Sequence, residues 1–272
     1  MDSNTRSPIA AGSFYPGDKE SLNEQIEEYL GNAKKLSIEN IKALIAPHAG
    51  YIYSGQVAAH AYNQLAGSKY DTVFVIAPSH SEFFDFISIY PGSYATPLGV
   101  LQIDSEKAER LKNGSEIIRF SSSGHNNEHS LEVQLPFIQY MLGDVPIVPI
   151  TIGNQNYRNS KLLGETISTL FGNENILIVA STDLSHYHPY DAAVSLDKKA
   201  VQLIKDYNTE TLAEEFSGKN LEMCGGGPVI AAMTAAKAMG ANKSKVLEYK
   251  NSGDVVGDMS AVVGYLSAVL YK

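Results

Sequence analysis

The sequence predicts an α/β protein: a single three-layer domain over residues 1–272, with a central mixed, largely parallel sheet flanked by helices. Short Val/Ile/Leu-rich runs alternate along the chain with longer segments of helical periodicity, which is typical of a parallel sheet with helices on both faces. The apolar runs are continuous, as expected for strands covered on both sides. No low-complexity stretch, internal repeat or Pro/Ser-rich linker divides the chain, so we expect one domain.

Apolar spacing and chain-breaking residues place the elements in order. Apolar side chains recur every fourth residue in the segment 19–30, which predicts a helix. The strand 43–46 ends where Pro47 restrains the preceding residue toward extended geometry. The segment 86–103, broken by PGSYATPLG, predicts an inserted hairpin or meander. The same criteria predict helices at 56–65, 105–112, 131–142, 161–171, 192–207 and 228–239, and strands at 73–77, 147–150, 176–180, 245–249 and 261–268.

Composition and charge exclude several classes of protein. The net charge is −9 and the pI is about 5.3, whereas a nucleic-acid surface requires a basic stripe, so we expect no nucleic-acid partner. No apolar run approaches the length of a membrane span and the N-terminus lacks the layout of a signal peptide, so we expect no membrane association and a cytoplasmic location. Cys224 is the single cysteine, which excludes an internal disulfide.

Three histidines follow buried-looking strands. His48 follows IKALIAP, His80 follows DTVFVIAPS, and His186 follows NILIVASTDLS. In open α/β sheets the ligand site lies outside the carboxyl ends of the strands. If the three strands are near neighbours, the three imidazoles converge on one crevice as a metal or acid–base site, although a single such histidine more often satisfies a loop carbonyl.

The densest polar cluster is STDLSHYHPYD. Asp183 and His186 are three positions apart, which would let both point one way in a helical turn. They are candidates for an acid–base pair, or for a carboxylate that orients an imidazole beside a metal. The alternative is a helix cap made by Ser181, Thr182 or Asp183. We expect His188 to face solvent.

Cys224 lies in MCGGGPV, before a predicted helix. A thiol near a helix N-terminus tends to have a lowered pKa, which would make Cys224 a nucleophile or a soft metal ligand. The neighbouring glycines would let the backbone approach a bound group closely. The alternative is a small buried residue, because free cysteine is among the most buried residue types.

The segment GHNNEHSLEVQLPF resembles a broken metal signature without the His-Glu-x-x-His spacing of zinc hydrolases. His125, Glu128, His129 and Glu132 are its polar members, and one of them is expected to line the site while a capped helix start explains the others. Walker, dinucleotide-binding and Gly-x-Ser-x-Gly motifs are absent from the sequence, which disfavours phosphate and hydride transfer.

The chain resembles the Memo (mediator of cell motility) family along nearly its whole length. The segments that carry the resemblance are RSPIAAGSFYPG, APHAGYIYSGQVAAHAY, VFVIAPSH, EHSLEVQLPF, STDLSHYHPYD, MCGGGPV and GDVVGDMSAVVGY. The resemblance implies a fold similar to that of class III extradiol dioxygenases. It also implies a metal site of His48, His80 and Cys224, with Asp183 and His186 as catalytic residues and a pathway link to a radical-SAM protein.

These residues are compatible with three functions. The first is a metal-dependent redox enzyme in which iron is the expected ion, with copper or zinc as alternatives, and in which Asp183 orients His186. A cysteine in place of the dioxygenase carboxylate makes the donor set softer, so ring cleavage is not implied. The second is a non-catalytic module that binds a peptide or partner in the ancestral pocket. The third is metal-free hydrolysis with Cys224 as nucleophile.

Overall fold

The computed structural model describes residues 4–272 and contains strands and helices in alternation over most of that range. The strands are β1 (Thr5–Arg6), β2 (Ile41–Ala46), β3 (Thr72–Pro78), β4 (Ile87–Ile89), β5 (Ser93–Thr96), β6 (Gly99–Leu101), β7 (Ile118–Phe120), β8 (Ile147–Ile152), β9 (Ile176–Ser181), β10 (His186–His188), β11 (Lys243–Asn251) and β12 (Val262–Tyr271). The helices are α1 (Lys19–Asn32), α2 (Tyr51–Tyr62), α3 (Ser105–Asn113), α4 (Leu135–Leu142), α5 (Tyr157–Phe171), α6 (Tyr190–Lys205), α7 (Thr209–Ser217), α8 (Gly226–Ala238) and α9 (Ser252–Val256).

The main sheet is mixed, as predicted, and its parallel part is central. Within residues 4–272 it runs in the order β10-β12-β2-β9-β3-β8-β4-β7. Strand β11 pairs with the edge of β12 opposite β2. Strands β2, β9, β3 and β8 are parallel to one another. Strand β12 is antiparallel to β2, and β4 is antiparallel to β8. The C-terminal strand thus covers the edge of a parallel core.

Helices cover both faces of this sheet, which confirms the α/β class. Alternate residues of the parallel strands face opposite sides, as the period of two requires. Leu44 and Val75 belong to a core formed with α1, α2 and α4, whereas Ile45 and Phe74 belong to a core formed with α3, α5, α6, α7 and α8. The single domain over residues 1–272 stays a prediction, and its first three residues lie outside the described range.

Several boundaries differ from those predicted. Helix α2 begins at Tyr51, directly after Gly50, and continues as a 3-10 turn to Leu65. Helix α7 was not predicted; Asn208 begins it by accepting a hydrogen bond from the Thr211 N–H. The inserted segment divides, since β4 joins the main sheet while β5 and β6 form a hairpin that pairs with β1 in a second sheet.

A buried carboxylate holds the N-terminal arm, residues 4–17, against the segment before α4. Glu132 accepts hydrogen bonds from the Arg6 guanidinium at 2.6 Å, the Tyr15 hydroxyl at 2.5 Å and the Ala10 N–H at 2.8 Å. Farther along the arm, the Phe14 carbonyl accepts the N–H of Tyr51 at 2.7 Å. The arm is therefore fixed beside the start of α2, where it forms one wall of the site described next.

In the part of the chain that the structure describes, no helix combines the length and apolar character needed to cross a membrane.

Candidate metal centre

Three neighbouring parallel strands bring the predicted residues to one edge of the sheet. Strands β2, β9 and β3 lie side by side, so their carboxyl ends meet. His48, Asp183 and His80 each lie two residues beyond the end of their strand. The middle strand therefore presents Asp183 where its neighbours present histidines, and His186 arrives three residues later on β10. The predicted convergence of His48, His80 and His186 is observed.

His48, His80 and Cys224 form a cluster of metal-ligand type. One ligand atom from each lies within 4.8 Å of the others, and the Cys224 Sγ is 3.2 Å from the His48 Nε2. Donors bound about 2.0–2.3 Å from one ion, at angles of about 90–180°, lie roughly 2.8–4.6 Å apart. The spacing and the donor set, two imidazole nitrogens and one sulfur, therefore fit a single transition-metal ion.

Hydrogen bonds fix the ring of His48. Its Nδ1 lies 2.8 Å from the Ser181 Oγ, and the same hydroxyl donates to the Ser130 carbonyl at 2.7 Å and accepts from the Gln134 Nε2 at 2.8 Å. The ring is therefore held with its Nε2 toward Cys224. Burial, together with the nearby His80 and His129, holds the pKa of His48 well below its usual range, so the ring is neutral and able to bind a cation.

His80 is oriented by Glu128, a carboxylate on a different loop. The Glu128 Oε1 lies 2.9 Å from the His80 Nδ1, and the Oε2 accepts the His80 N–H. Burial disfavours the ionised forms of both groups, but their mutual hydrogen bond and charge outweigh it; the pKa of Glu128 falls to about 2 and that of His80 rises. A carboxylate on the second nitrogen of a ligating histidine is a common arrangement in metal sites.

Cys224 is not the activated thiol that its position suggested. It is held between main-chain groups of Asp183, with the Asp183 N–H 3.1 Å from the sulfur and the Cys224 N–H donating to the Asp183 carbonyl. Burial, reinforced by the Asp183 carboxyl, raises the pKa of the thiol. The expectation of a lowered pKa was wrong because the dipole effect is smaller than the cost of burying a thiolate. A bound cation would reverse that balance.

The sequence predicted that the glycines after Cys224 would let the backbone approach a bound group. In the structure they approach other parts of the protein instead. A side chain on Gly225 would lie 2.1 Å from the Ser181 carbonyl oxygen, and one on Gly226 would meet the Phe216 ring at 2.3 Å. The Gly225 N–H donates to the Thr182 hydroxyl. The glycines therefore let the start of α8 pack directly on the end of β9.

Asp183 and His186 both line the site, but the predicted contact between them is wrong. The segment between β9 and β10 is not helical, so neither a shared helical turn nor a helix cap forms there. The Asp183 Oδ1 accepts the His48 N–H at 2.8 Å, while the His186 Nδ1 lies 2.8 Å from the Leu184 carbonyl oxygen. Burial raises the pKa of Asp183 to about 7, although the hydrogen bond from the His48 N–H opposes the rise. Burial also lowers the pKa of His186.

A cavity of about 540 Å³ opens beside the cluster. Its residues are Ser13, Phe14, His48, Ala49, Gly50, Tyr53, His80, His129, Asp183, His186, Tyr187, Val263 and Tyr265. Cys224 faces a second cavity of about 700 Å³, whose walls include Leu184, Phe216, Met223 and, again, His186. Both volumes are in the range of small-molecule sites.

The remaining histidines named from the sequence divide between the site and other places. His129 lines the cavity. His125 is buried away from it, with its Nδ1 2.6 Å from the Tyr94 hydroxyl. His188 lies on the surface, where its Nε2 is 2.8 Å from a carboxylate oxygen of Glu222.

Sequence reasoning missed residues that support the site without resembling ligands. Glu128 was named only as part of a broken metal signature, and its contact with His80 spans 48 positions of sequence. Ser181 and Gln134, which hold the His48 ring, carry no ligand pattern at all. For Glu128 the available signal was its place beside His129, just before a turn that leads into a helix.

The fold and site define a class: an α/β protein with a His₂Cys donor cluster at the carboxyl edge of a mixed sheet. The family model described as Memo-like protein matches residues 6–269, and the chain belongs to that family. It is 38% identical to a MEMO1 family protein of Methanocaldococcus jannaschii, over 97% of this chain and 98% of that protein. It is 37% identical to a MEMO1 family protein of Methanosarcina barkeri, over 97% and 99%.

Among solved structures, an uncharacterized protein from Escherichia coli K12 has a similar fold. The TM-score is 0.56 at 13% sequence identity, covering 85% of this chain and all of that chain. At this identity the likeness concerns the fold alone, which supports the three-layer α/β class.

Proposed function

We propose that the protein is a metal-dependent redox enzyme in which His48, His80 and Cys224 hold one divalent iron or copper ion. The observation that carries the proposal is the convergence of these donor atoms within 4.8 Å from three separate loops. Imidazole with thiolate suits iron, copper and zinc better than magnesium or calcium, which prefer oxygen. Iron is the expected ion, and copper or zinc is the alternative.

A catalytic role, rather than a structural one, is supported by the open side of the cluster. Structural zinc sites are closed by four protein ligands, whereas catalytic sites keep a position for water or substrate. Here His48 and His80 lie at the wall of a cavity of about 540 Å³, and Cys224 faces the second cavity of about 700 Å³. A bound iron or copper ion would supply Lewis acidity and electron transfer to a ligand in that cavity.

Two residues of the chain are suited to move protons beside such an ion. The His186 Nδ1 faces the Leu184 carbonyl and therefore carries the hydrogen, which leaves Nε2 to accept a proton from a ligand. The pKa of Asp183 is raised to about 7 by burial, so its carboxyl group can hold or release a proton near neutral pH. Asp183 also fixes the main chain of His48.

Metal analysis tests the proposal. Protein purified without a polyhistidine tag and without oxygen should carry one metal per chain, identified by mass spectrometry and by anomalous scattering at the iron, copper and zinc edges. His48→Ala and His80→Ala should each lose it, whereas His188→Ala, a surface control, should retain it. Sub-stoichiometric metal that is unchanged in the His48→Ala/His80→Ala double variant would remove the proposal.

Metal-free hydrolysis is the second candidate, because the Cys224 sulfur lies 3.2 Å from the His48 Nε2, as in a nucleophile–base pair. Against it, burial raises the pKa of Cys224 and lowers that of His48, which disfavours a thiolate–imidazolium pair.

Alkylation of metal-free protein by iodoacetamide distinguishes Cys224 as a metal ligand from Cys224 as a nucleophile. Labelling that Fe(II) blocks indicates a ligand, and an acyl adduct found by mass spectrometry indicates a nucleophile. Peptide recognition in the same cavity stays a prediction.

A further inference from the structure

His129 is a third imidazole beside the proposed ligands, and the proposed function gives it no role. Its ring lies nearly parallel to that of His80, with centroids 5.2 Å apart and an interplanar angle of 15°. The His48 ring is 5.6 Å away, and the Phe14 ring of the N-terminal arm packs against His129 at 4.4 Å. These contacts hold the His129 ring in one orientation at the cavity wall.

In a neutral imidazole one ring nitrogen carries the hydrogen and the other can accept a hydrogen bond. The contacts of the His129 Nδ1 therefore determine whether its Nε2 is an acceptor. The His129 Nδ1 lies 3.5 Å from the Glu128 Oε1. That oxygen also accepts the Ser130 N–H at 3.0 Å and lies 2.9 Å from the His80 Nδ1, so it acts as an acceptor. A lone pair on the His129 Nδ1 would be repelled by it, so Nδ1 carries the hydrogen. The lone pair then belongs to Nε2, on the ring edge turned away from Glu128.

The walls of the cavity indicate the chemistry of its ligand. Phe14, Tyr53, Val263 and Tyr265 supply mostly apolar and aromatic surface, and among the lining residues that the structure describes there is no lysine or arginine. A carboxylate or phosphate would therefore find no lysine or arginine in these walls, and its only cationic partner would be an ion held by His48, His80 and Cys224. An uncharged ligand with an apolar body is favoured, and a hydroxyl group on it would find an acceptor at the His129 Nε2.

We propose that the His129 Nε2 accepts a hydrogen bond from a small, uncharged, hydroxyl-bearing ligand bound in the cavity beside His48 and His80. His129 is then a ligand-binding residue and not a fourth metal ligand. The inference rests on the proposed function in treating this cavity as the ligand site. It concerns contacts of the chain itself and can be measured with or without a metal.

Two matched probes test the inference: 4-fluorophenol, which has a donor, and 1,4-difluorobenzene, which has none. Fluorine NMR titrations at pH 7 would use zinc-loaded and metal-free protein, in the wild type, His129→Phe and His129→Gln. His129→Phe keeps an aromatic ring and His129→Gln keeps an acceptor. We expect 4-fluorophenol to lose about three- to tenfold in affinity in His129→Phe, as for one hydrogen bond. Affinity should recover in His129→Gln, and 1,4-difluorobenzene should change less than twofold.

Each other outcome overturns the inference. It fails if 4-fluorophenol keeps its advantage in His129→Phe, if both probes weaken equally in the variants, or if neither probe binds the wild type. Zinc content is measured on the same samples; loss of zinc in His129→Phe alone would make His129 a ligand. If the wild type itself binds no metal, the proposed function fails separately, and the metal-free titrations decide the role of His129.

Discussion

At the scale of single residues, Glu128 determines the orientation of His80. Its two oxygens engage the His80 ring and main chain, and one of them also accepts the Ser130 N–H. Glu128→Gln keeps the shape but places an NH₂ group opposite a donor. We expect metal affinity to fall roughly 10–100-fold and the free energy of unfolding to fall by about 1–3 kcal/mol.

Competition with a metal indicator and urea unfolding measure the two effects of Glu128→Gln. Glu222→Gln is the matched control, because Glu222 pairs with His188 on the surface. Equal metal affinity in the two variants would show that Glu128 does not position His80 for a metal.

The sulfur of Cys224 determines which metal the site prefers. Cys224→Ser replaces a soft donor by a hard one at the same position, 3.2 Å from the His48 Nε2. Affinity for Cu(I) should therefore fall by a larger factor than affinity for Fe(II). Anaerobic competition titrations with both ions measure the ratio. An equal loss for both ions would mean that Cys224 shapes the pocket without binding the metal.

At the scale of elements, the N-terminal arm and the segment before α4 behave as one unit. Arg6 donates to the carbonyls of His125 and Glu128 at 2.6 and 2.7 Å as well as to Glu132. The same buried guanidinium therefore holds the loop that carries Glu128 and His129. Although β1 has only two residues, its Arg6 thus fixes the loop that positions His80 through Glu128.

Glu132→Gln tests this unit because it leaves Arg6 buried without its carboxylate. We expect a loss of about 3–5 kcal/mol in the free energy of unfolding, as for a broken buried ion pair. Glu165→Gln, which removes an exposed partner of Lys161, should cost less than about 0.5 kcal/mol. Urea unfolding measures both. A loss no larger than that of the control would show that the arm is held by other contacts.

At the scale of the whole molecule, buried neutral histidines make folding depend on acidity. Burial lowers the pKa of His125 to about 3, against an ordinary value of 6.5. Between these values the unfolded chain binds a proton that the folded chain rejects, so stability falls as the pH drops from about 6.5 toward 3. His125→Gln should flatten this dependence by up to about 1.4 kcal/mol per pH unit.

Urea unfolding at several pH values between 3.5 and 7 measures the slope. Tyr94→Phe removes the hydroxyl that contacts the His125 Nδ1 and keeps the imidazole. Tyr94→Phe should lower the free energy of unfolding at every pH without changing its dependence on pH. Parallel curves for the wild type and His125→Gln would show that His125 is not the group that links folding to pH.

The alternation of apolar runs and helical segments determined the α/β class, because the periods of strands and helices are local properties of the chain. The same runs determined that His48 and His80 would lie just past strand ends, whereas His186 begins the separate strand β10. Helix α7 was missed, and β4 could not be assigned to the main sheet. Strand β4 pairs with β8, where Ser88 lies opposite Thr151. These two residues are 63 positions apart in the sequence, so the three residues of β4 do not determine the pairing by themselves.

Only the tertiary structure decided how the site residues act on one another. The sequence placed Asp183 three positions from His186, but the fold directs Asp183 to the His48 main chain and His186 to the Leu184 carbonyl. It placed Cys224 near a helix start, but burial raises the pKa of its thiol. The side-chain types and the strand ends are set by the chain itself. Partners and pKa values are set by burial and by neighbours distant in sequence, and only the packed fold provides those.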